Sequence, residues 1–224
     1  EVDVDVISPE DPGGWGAYVA GVVWALRAAG YAVGGIDIVL TSAVPVGAGL
    51  SSSAALTCSV AAAVSGTYGL GLLDSEAGRR ELVAAAIRAE NEIAGAPTGG
   101  MDQTAALLSR PGHALRMDFR SGEFTAIPVD LASAGLALLV CDTRAEHTLN
   151  DGQYAQRRAS CERAAAALGV PTLREISLVD LDRVTTRLDG VDARRVRHVV
   201  MEIARVDACV AALQRGDFAT VGGL

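Results

Sequence analysis

The sequence predicts an α+β fold, and three observations point to it. Segments with apolar residues at helical spacing occupy most of the chain. Between them, the segments 113–119 and 124–129 have the composition of two strands, and Arg120–Glu123 between them has the composition of a hairpin turn. Hydrophobic residues make up 50% of the 224 positions, which is enough to bury a sizeable core. Helices and hairpin strands in one chain argue for an α+β architecture.

The first half of the chain alternates between strand-like and helix-like patterns. Valines alternate with acidic residues over 2–6, and isoleucines alternate with other residues over 35–41, so both segments are predicted to be strands. Asp74 or Ser75 is expected to cap a helix that Gly95 ends. Four helices are predicted in this half: 15–29, about 53–68, about 75–94 and 101–108.

The second half is predicted to be mostly helical after the hairpin. The apolar run 135–141 predicts a buried strand, and three helical segments follow at 151–168, about 178–188 and 193–215. We expect two domains, 1–132 and 133–224, with the division near residues 130–134. The chain begins without methionine inside a predicted strand, so we expect an internal fragment of a longer protein.

Composition excludes several classes of function. The net charge of −8 disfavours nucleic acid and anionic membranes as partners. All 19 basic residues are arginine, which excludes a lysine-based phosphate loop and a Schiff-base lysine. The four cysteines and three histidines have no metal-ligand spacing, so a zinc site is not expected. No apolar run is long enough to span a bilayer and no signal peptide is visible, so we expect a cytoplasmic protein.

The segment Pro45–Leu56 (PVGAGLSSSAAL) carries the strongest chemical signal. Its glycines allow a tight loop that approaches a ligand closely, and its serines stand at the start of a helix. Unpaired N–H groups and the positive dipole end favour an anion there. The pattern predicts a phosphate cradle; a Gly-rich turn with serine N-caps is the alternative.

Three further residues could carry chemistry. Asp102 follows two glycines at a helix start, where it could orient or deprotonate a bound hydroxyl or merely favour the first turn. Glu90 and Glu92 point to different faces of a helix, and one of them could reach the loop and bind Mg²⁺; the alternative is a solvated glutamate. Tyr154 could offer its phenol to a polar ligand or be a partly buried aromatic residue.

Together these segments resemble the GHMP small-molecule kinases, and among them the galactokinases. The phosphate loop matches the second motif of the family, and Ala89-Glu90-Asn91 resembles the helix segment that carries its magnesium carboxylate. The galactokinase-like stretches are GAPTGGMDQ at 95–103, CDT at 141–143, HTL at 147–149 and YAQRRASC at 154–161.

The resemblance implies a fold, a reaction and site residues. The fold is a two-domain architecture with a ribosomal-protein-S5-like N-terminal domain and a ferredoxin-like C-terminal domain. The reaction is ATP-dependent phosphorylation of the anomeric hydroxyl of galactose. Ser53 and Glu90 would bind Mg²⁺, Asp102 would act on the sugar hydroxyl, and Gly99, Asp102 and Tyr154 would contact the sugar. The ATP-binding residues would be Pro45, Gly47, Gly49, Leu50, Ser51, Ser52 and Ser53.

The sequence also departs from the galactokinase pattern. Galactokinases carry an upstream arginine and a Gly-Glu-His-Thr-Asp-Tyr segment that bind the sugar, and a third, Gly-rich motif; these residues have none of the three. We therefore expect the 224 residues alone to have no measurable kinase activity, and we expect a monomer. Two alternatives remain: a kinase for N-acetylgalactosamine or arabinose, and a non-catalytic sensor of sugar and ATP. The intact triple serine and Met101-Asp102-Gln103 count against the sensor.

Overall fold

The computed structural model describes residues 1–9, 11–47, 49–141 and 153–224, without the side chains of 153 and 154. The chain divides into two compact units. Unit 1 consists mainly of Glu1–Arg110, and unit 2 mainly of Pro111–Leu138 and the segment from residue 153 onward. The two units are defined by which residues pack together, and they do not define domains. The predicted domain division between residues 132 and 133 therefore stays a prediction.

Unit 1 is helical, and its four predicted helices form close to their predicted bounds. Ser75 caps α3, because its hydroxyl accepts a hydrogen bond from the N–H of Gly78 at 3.0 Å. After α3 the chain continues into a π-helical turn, Ala89–Ile93, which the sequence pattern did not predict. The helices are α1 (Trp15–Ala28), α2 (Ser52–Thr67), α3 (Glu76–Arg88) and α4 (Met101–Leu108).

The core of unit 1 lies among α1, α2 and α3. Its largest fully buried members include Leu26 of α1, Val60 and Val64 of α2 and Leu82 of α3. Gly21 brings α1 close to the π-helical turn: a Cβ at this position would lie 3.0 Å from the Cα of Ala89. A glycine is therefore needed for this approach of two backbones, and the approach places Ala89–Ile93 against α1.

Three predicted strands are wrong. Among the described residues, the segments 2–6, 35–41 and 135–141 pair with no other strand. The alternation over 35–41 does produce one inner face, since Ile36 and Ile38 pack on the core while Val39 is 94% exposed. A strand also needs a neighbouring backbone to satisfy its N–H and C=O groups, and side-chain alternation does not supply one.

Unit 2 combines the predicted hairpin with helices. Strands β1 (His113–Asp118) and β2 (Glu123–Pro128) pair antiparallel, with His113 opposite Pro128 and Asp118 opposite Glu123. The core of the helical part includes Leu173, Leu181, Val196 and Val200. The helices are α5 (Gln153–Leu168), α6 (Leu181–Thr185), α7 (Gly190–Gln214) and α8 (Phe218–Gly223). The expected α+β class is confirmed. In the described part of the chain, no helix is long and apolar enough to cross a membrane.

Candidate active site

The loop before α2 has the backbone geometry that the sequence predicts. Gly47 and Gly49 have φ values of +77° and +71°, which are accessible to glycine at little cost. Ser51 has φ +54° and is the one non-glycine residue with positive φ in the described part of the chain. A serine in this conformation is strained by about 1–3 kcal/mol, and such residues are concentrated at ligand sites. Pro45, Gly47, Gly49 and Leu50 are exposed, so the loop is accessible to a ligand.

The N-terminus of α2 presents donors toward this loop. The carbonyl of Ser51 accepts from the N–H of Ala55 at 2.9 Å, but among the described residues no side-chain hydrogen bond caps the helix. The N–H groups of the first turn, which include those of Ser52 and Ser53, therefore lack the capping partner that most helices have. This arrangement suits an anionic ligand such as a phosphate.

Glu90 is the buried carboxylate of the site. Glu90 is 3% exposed and lies in the π-helical turn. The side-chain amide of Gln103 donates to Glu90 Oε1 at 2.7 Å, and the Thr57 hydroxyl lies 3.1 Å from the same oxygen. The side chain of Ser53 is also close enough to Glu90 to lower the pKa of its carboxyl group. The alternative of a solvated glutamate is thus wrong for Glu90, and the predicted pair of Ser53 and Glu90 is brought together.

The electrostatics of Glu90 are unusual for a buried acid. Burial raises the pKa of Glu90 above its ordinary value, and the hydrogen bond from Gln103 opposes this shift most strongly. The negative charge of Asp102 adds to the rise. Among the described residues, no arginine or histidine forms an ion pair with Glu90. Within the described part of the chain, the hydrogen-bond donors to this carboxylate are therefore neutral.

This chemistry fits a magnesium ion. Mg²⁺ prefers a small number of hard oxygen ligands and keeps waters and phosphate oxygens as the others. A carboxylate and a serine hydroxyl beside a helix start that suits a phosphate provide such a set. In the described residues there is no group of three or more histidine, cysteine, aspartate or glutamate side chains that could hold a metal ion alone.

Glu92 is a solvated glutamate on the helix surface, which was the alternative to a metal ligand. It is exposed and pairs with Arg88 one turn earlier at 2.7 Å, and this contact lowers the pKa of Glu92. The expectation that Glu90 and Glu92 point to different faces is confirmed. Asn91, between them, accepts from the N–H of Thr98 at 2.8 Å and donates to its carbonyl at 3.3 Å. The π-helical turn is thereby tied to the loop that leads to α4.

Asp102 lies in the first turn of α4 and is half-buried. Gly100 precedes the helix with φ +87°, and a Cβ there would lie 2.5 Å from Cδ1 of Ile87. The positive φ therefore favours glycine, and a Cβ at this position would also displace the end of the Ile87 side chain. Gly99 is exposed beside it. Because Asp102 is close enough to raise the pKa of Glu90, the structure brings both predicted acids into one neighbourhood.

Some site residues are placed differently or were missed. Tyr154 lies outside the residues whose side chains are described, as do the CDT and HTL stretches beyond Cys141. The sequence pattern predicted no role for Thr57 or for the side chain of Gln103. The spacing of Ser53 and Thr57, one helical turn apart, is a signal that they share a face. Burial raises the pKa of Cys58 to about 12, so this thiol stays protonated and is no nucleophile.

Comparison with known proteins agrees with this geometry. Residues 17–110 match the family model described as the GHMP kinases N terminal domain, and this segment contains the loop, Glu90 and Asp102. The galactokinase of Streptomyces coelicolor is 46% identical over 226 residues, which is 100% of this chain and 57% of that protein. The galactokinase of Mycobacterium tuberculosis H37Rv is 45% identical over 97% of this chain and 58% of its own length.

A solved structure is similar as well. The crystal structure of Lactococcus lactis galactokinase complexed with galactose matches with a TM-score of 0.79 and 26% sequence identity. The match covers 96% of this chain and 55% of that one. The chain therefore spans a little over half the length of the relatives that it matches.

Proposed function

We propose, with the GHMP kinase N-terminal domain at residues 17–110 as the premise, that the protein carrying this chain is an ATP-dependent galactose kinase. It would transfer the terminal phosphoryl group of ATP to the anomeric hydroxyl of D-galactose, which gives galactose 1-phosphate and ADP and opens galactose catabolism by the Leloir pathway. The observation that carries the proposal is Glu90, a buried carboxylate near the serine-rich start of α2 that has no cationic partner in the part of the chain that the structure describes.

The loop and α2 would bind the nucleotide. Backbone N–H groups from Gly47 to Ser53 would donate to the phosphates of ATP, in place of the lysine that this chain lacks. Ser53 and Glu90 would hold Mg²⁺. When bound, this ion neutralises charge that develops on the phosphates. Glu90 is ready for this role because Gln103 fixes its carboxylate at 2.7 Å before any ligand arrives.

Asp102 would act on the acceptor. Asp102 lies in the first turn of α4, and a carboxylate in that position can accept or orient the proton of the sugar hydroxyl. Gly99 would allow the sugar to approach the backbone beside it, and Tyr154 would contact the sugar. We further propose that the protein is a cytoplasmic monomer; size-exclusion chromatography with light scattering tests the oligomeric state.

The deciding experiment is a sugar panel on the complete protein. We expect ADP release in a coupled assay with D-galactose and Mg²⁺, and less with N-acetylgalactosamine or L-arabinose. Preference for one of those sugars would replace galactose as the substrate. Binding of sugar and ATP without turnover would support a sensor instead.

Asp102→Ala in the same protein tests the assignment of the base. Loss of a positioned acid–base group costs about 10²–10⁴-fold in kcat. Nucleotide affinity, measured by calorimetry with ADP, should stay near the wild-type value because Asp102 is assigned to the sugar. Wild-type turnover by Asp102→Ala would show that Asp102 has another role.

A further inference from the structure

We infer that Gln103 is a positioning residue, whose buried side-chain amide fixes the Glu90 carboxylate for Mg²⁺ and ties it to the loop that carries Gly99 and leads into α4. This inference rests on the proposed function, because it assigns Glu90 to the metal. Gln103 itself touches neither metal nor sugar in this assignment.

The geometry is a closed ring of hydrogen bonds. The amide nitrogen of Gln103 donates to Glu90 Oε1 at 2.7 Å, and its amide oxygen accepts from the Thr98 hydroxyl at 3.4 Å. The Thr98 hydroxyl in turn accepts from the N–H of Gly100 at 3.2 Å. The backbone N–H of Thr98 donates to Oδ1 of Asn91 at 2.8 Å, and Asn91 is the neighbour of Glu90 in the π-helical turn. The ring therefore links the acid of one element to the start of α4.

Glutamine suits the position because it is both donor and acceptor. An ionised carboxylate only accepts hydrogen bonds, so the NH₂ end of the Gln103 amide must face Glu90 and the oxygen must face the Thr98 hydroxyl. Gln103 is 1% exposed, so water cannot easily replace either bond. A methionine of similar length would fill the space but donate nothing.

Thr57 is the weaker partner of Glu90. Its one hydroxyl proton is shared, because Glu90 Oε1 lies at 3.1 Å and the carbonyl of Ser53 at 3.0 Å. Gln103 and Thr57 both reach Oε1, and neither of these two bonds uses Oε2. The two donors therefore hold the carboxylate through one of its oxygens. Partners that orient a metal-binding carboxylate typically contribute about 10–100-fold to metal affinity.

The test measures metal binding directly, with Mn²⁺ as the probe and ADP present, by electron paramagnetic resonance of free Mn²⁺ in the complete protein. We expect Gln103→Met to raise the Mn²⁺ dissociation constant by about 10–100-fold. Thr57→Val should raise it less, because the Thr57 proton is shared. In steady-state assays the apparent Mg²⁺ requirement should rise while the KM for the sugar stays near the wild-type value.

Thr104→Val is the matched control. Thr104 is the next residue of α4 and is 1% exposed, but its hydroxyl bonds the carbonyl of Gly100 at 2.7 Å. That carbonyl keeps the N–H of Thr104 at 3.0 Å after the change. We expect an unchanged Mn²⁺ dissociation constant. A loss equal to that of Gln103→Met would mean that both variants act through stability, and it would overturn the inference.

Glu90→Gln separates this inference from the proposed function. If Glu90→Gln loses Mn²⁺ affinity and Gln103→Met keeps it within about twofold, Gln103 is not a positioning residue and the proposed metal site stands. If neither variant changes Mn²⁺ affinity, the metal assignment of Glu90 is wrong and the inference fails with it. Melting temperatures of all variants, measured without metal, identify any variant that fails to fold. In that case Thr98→Val tests the ring of hydrogen bonds from its other side. Wild-type Mn²⁺ affinity in Thr98→Val would overturn the inference.

Discussion

Glu90 in unit 1 and Asp192 in unit 2 are both buried carboxylates, and they are stabilised in opposite ways. Asp192 is 6% exposed and accepts from the Ser160 hydroxyl and from the guanidinium of Arg163, which lies 3.1 Å away. Glu90 is 3% exposed and accepts from neutral donors. One carboxylate thus has a positive partner within the protein and the other has none among the described residues.

The difference is what we expect between an acid that serves the fold and one that binds a ligand. Burying an uncompensated charge is costly, and proteins tolerate the cost where function requires it. Arg163 neutralises Asp192 in the folded chain, so a further cation would gain little there. The charge of Glu90 remains available to a cation that arrives with a ligand. The lack of a counter-charge among the described residues supports the proposed role of Glu90 at the metal.

The largest expected effect comes from removing each charge in turn. Glu90→Gln should lower Mg²⁺-dependent turnover of the complete protein by about 10²-fold or more, because a charged ligand is replaced by a neutral one. Its melting temperature should not fall, since burial of the charge is unfavourable. Asp192→Asn should show the reverse: normal turnover and a loss of about 1–3 kcal/mol in the free energy of unfolding. Assays and urea titrations of both variants make the comparison.

A loss of stability in Glu90→Gln similar to that in Asp192→Asn would contradict this distinction. It would mean that the carboxylate of Glu90 serves the fold, and that its lack of a cation carries no functional meaning.

A smaller effect is expected where α1 supports the π-helical turn. Gly21→Ala places a methyl group 3.0 Å from the backbone of Ala89, which should cost about 1–3 kcal/mol in stability and displace the turn that carries Glu90. Gly66→Ala is the control, because a Cβ at this exposed position in α2 meets nothing within 4 Å. It should stabilise by about 0.5–1 kcal/mol through helix propensity. Urea unfolding measures both, and equal effects would contradict the role of Gly21.

The smallest effect concerns pH and unit 2. The N–H of Asp192, followed by that of Val191, holds the pKa of Asp189 below its ordinary value of 3.8. This lowered pKa stabilises the folded state above pH 3.8, and the contribution is lost as the pH falls through the lowered pKa. Asp189→Ala should therefore have a lower melting temperature than wild type at pH 7, with a difference that shrinks in acid. A difference constant with pH would contradict the charge effect.

Much of the fold could be predicted from the sequence because helices are local. The apolar spacing, the Ser75 cap and the glycines at 30 and 95 give helix bounds within a few residues of those in the structure. The hairpin was predictable for the same reason, since its strands are adjacent in the chain. The segment 35–41 was not, because pairing depends on a partner that side-chain alternation cannot specify.

The candidate site shows the same difference between local features and features that depend on distant parts of the chain. The sequence by itself determined which residues could bind phosphate, metal and sugar hydroxyl, since loop glycines, helix-start serines and the acids at 90 and 102 are local features. The tertiary structure decided that Glu90 is buried, that it lacks a cation among the described residues, and that Gln103 and Thr57 hold it. Those two partners lie 13 and 33 positions away. Burial and long-range hydrogen bonds arise only when the helices pack together, so no local pattern encodes them.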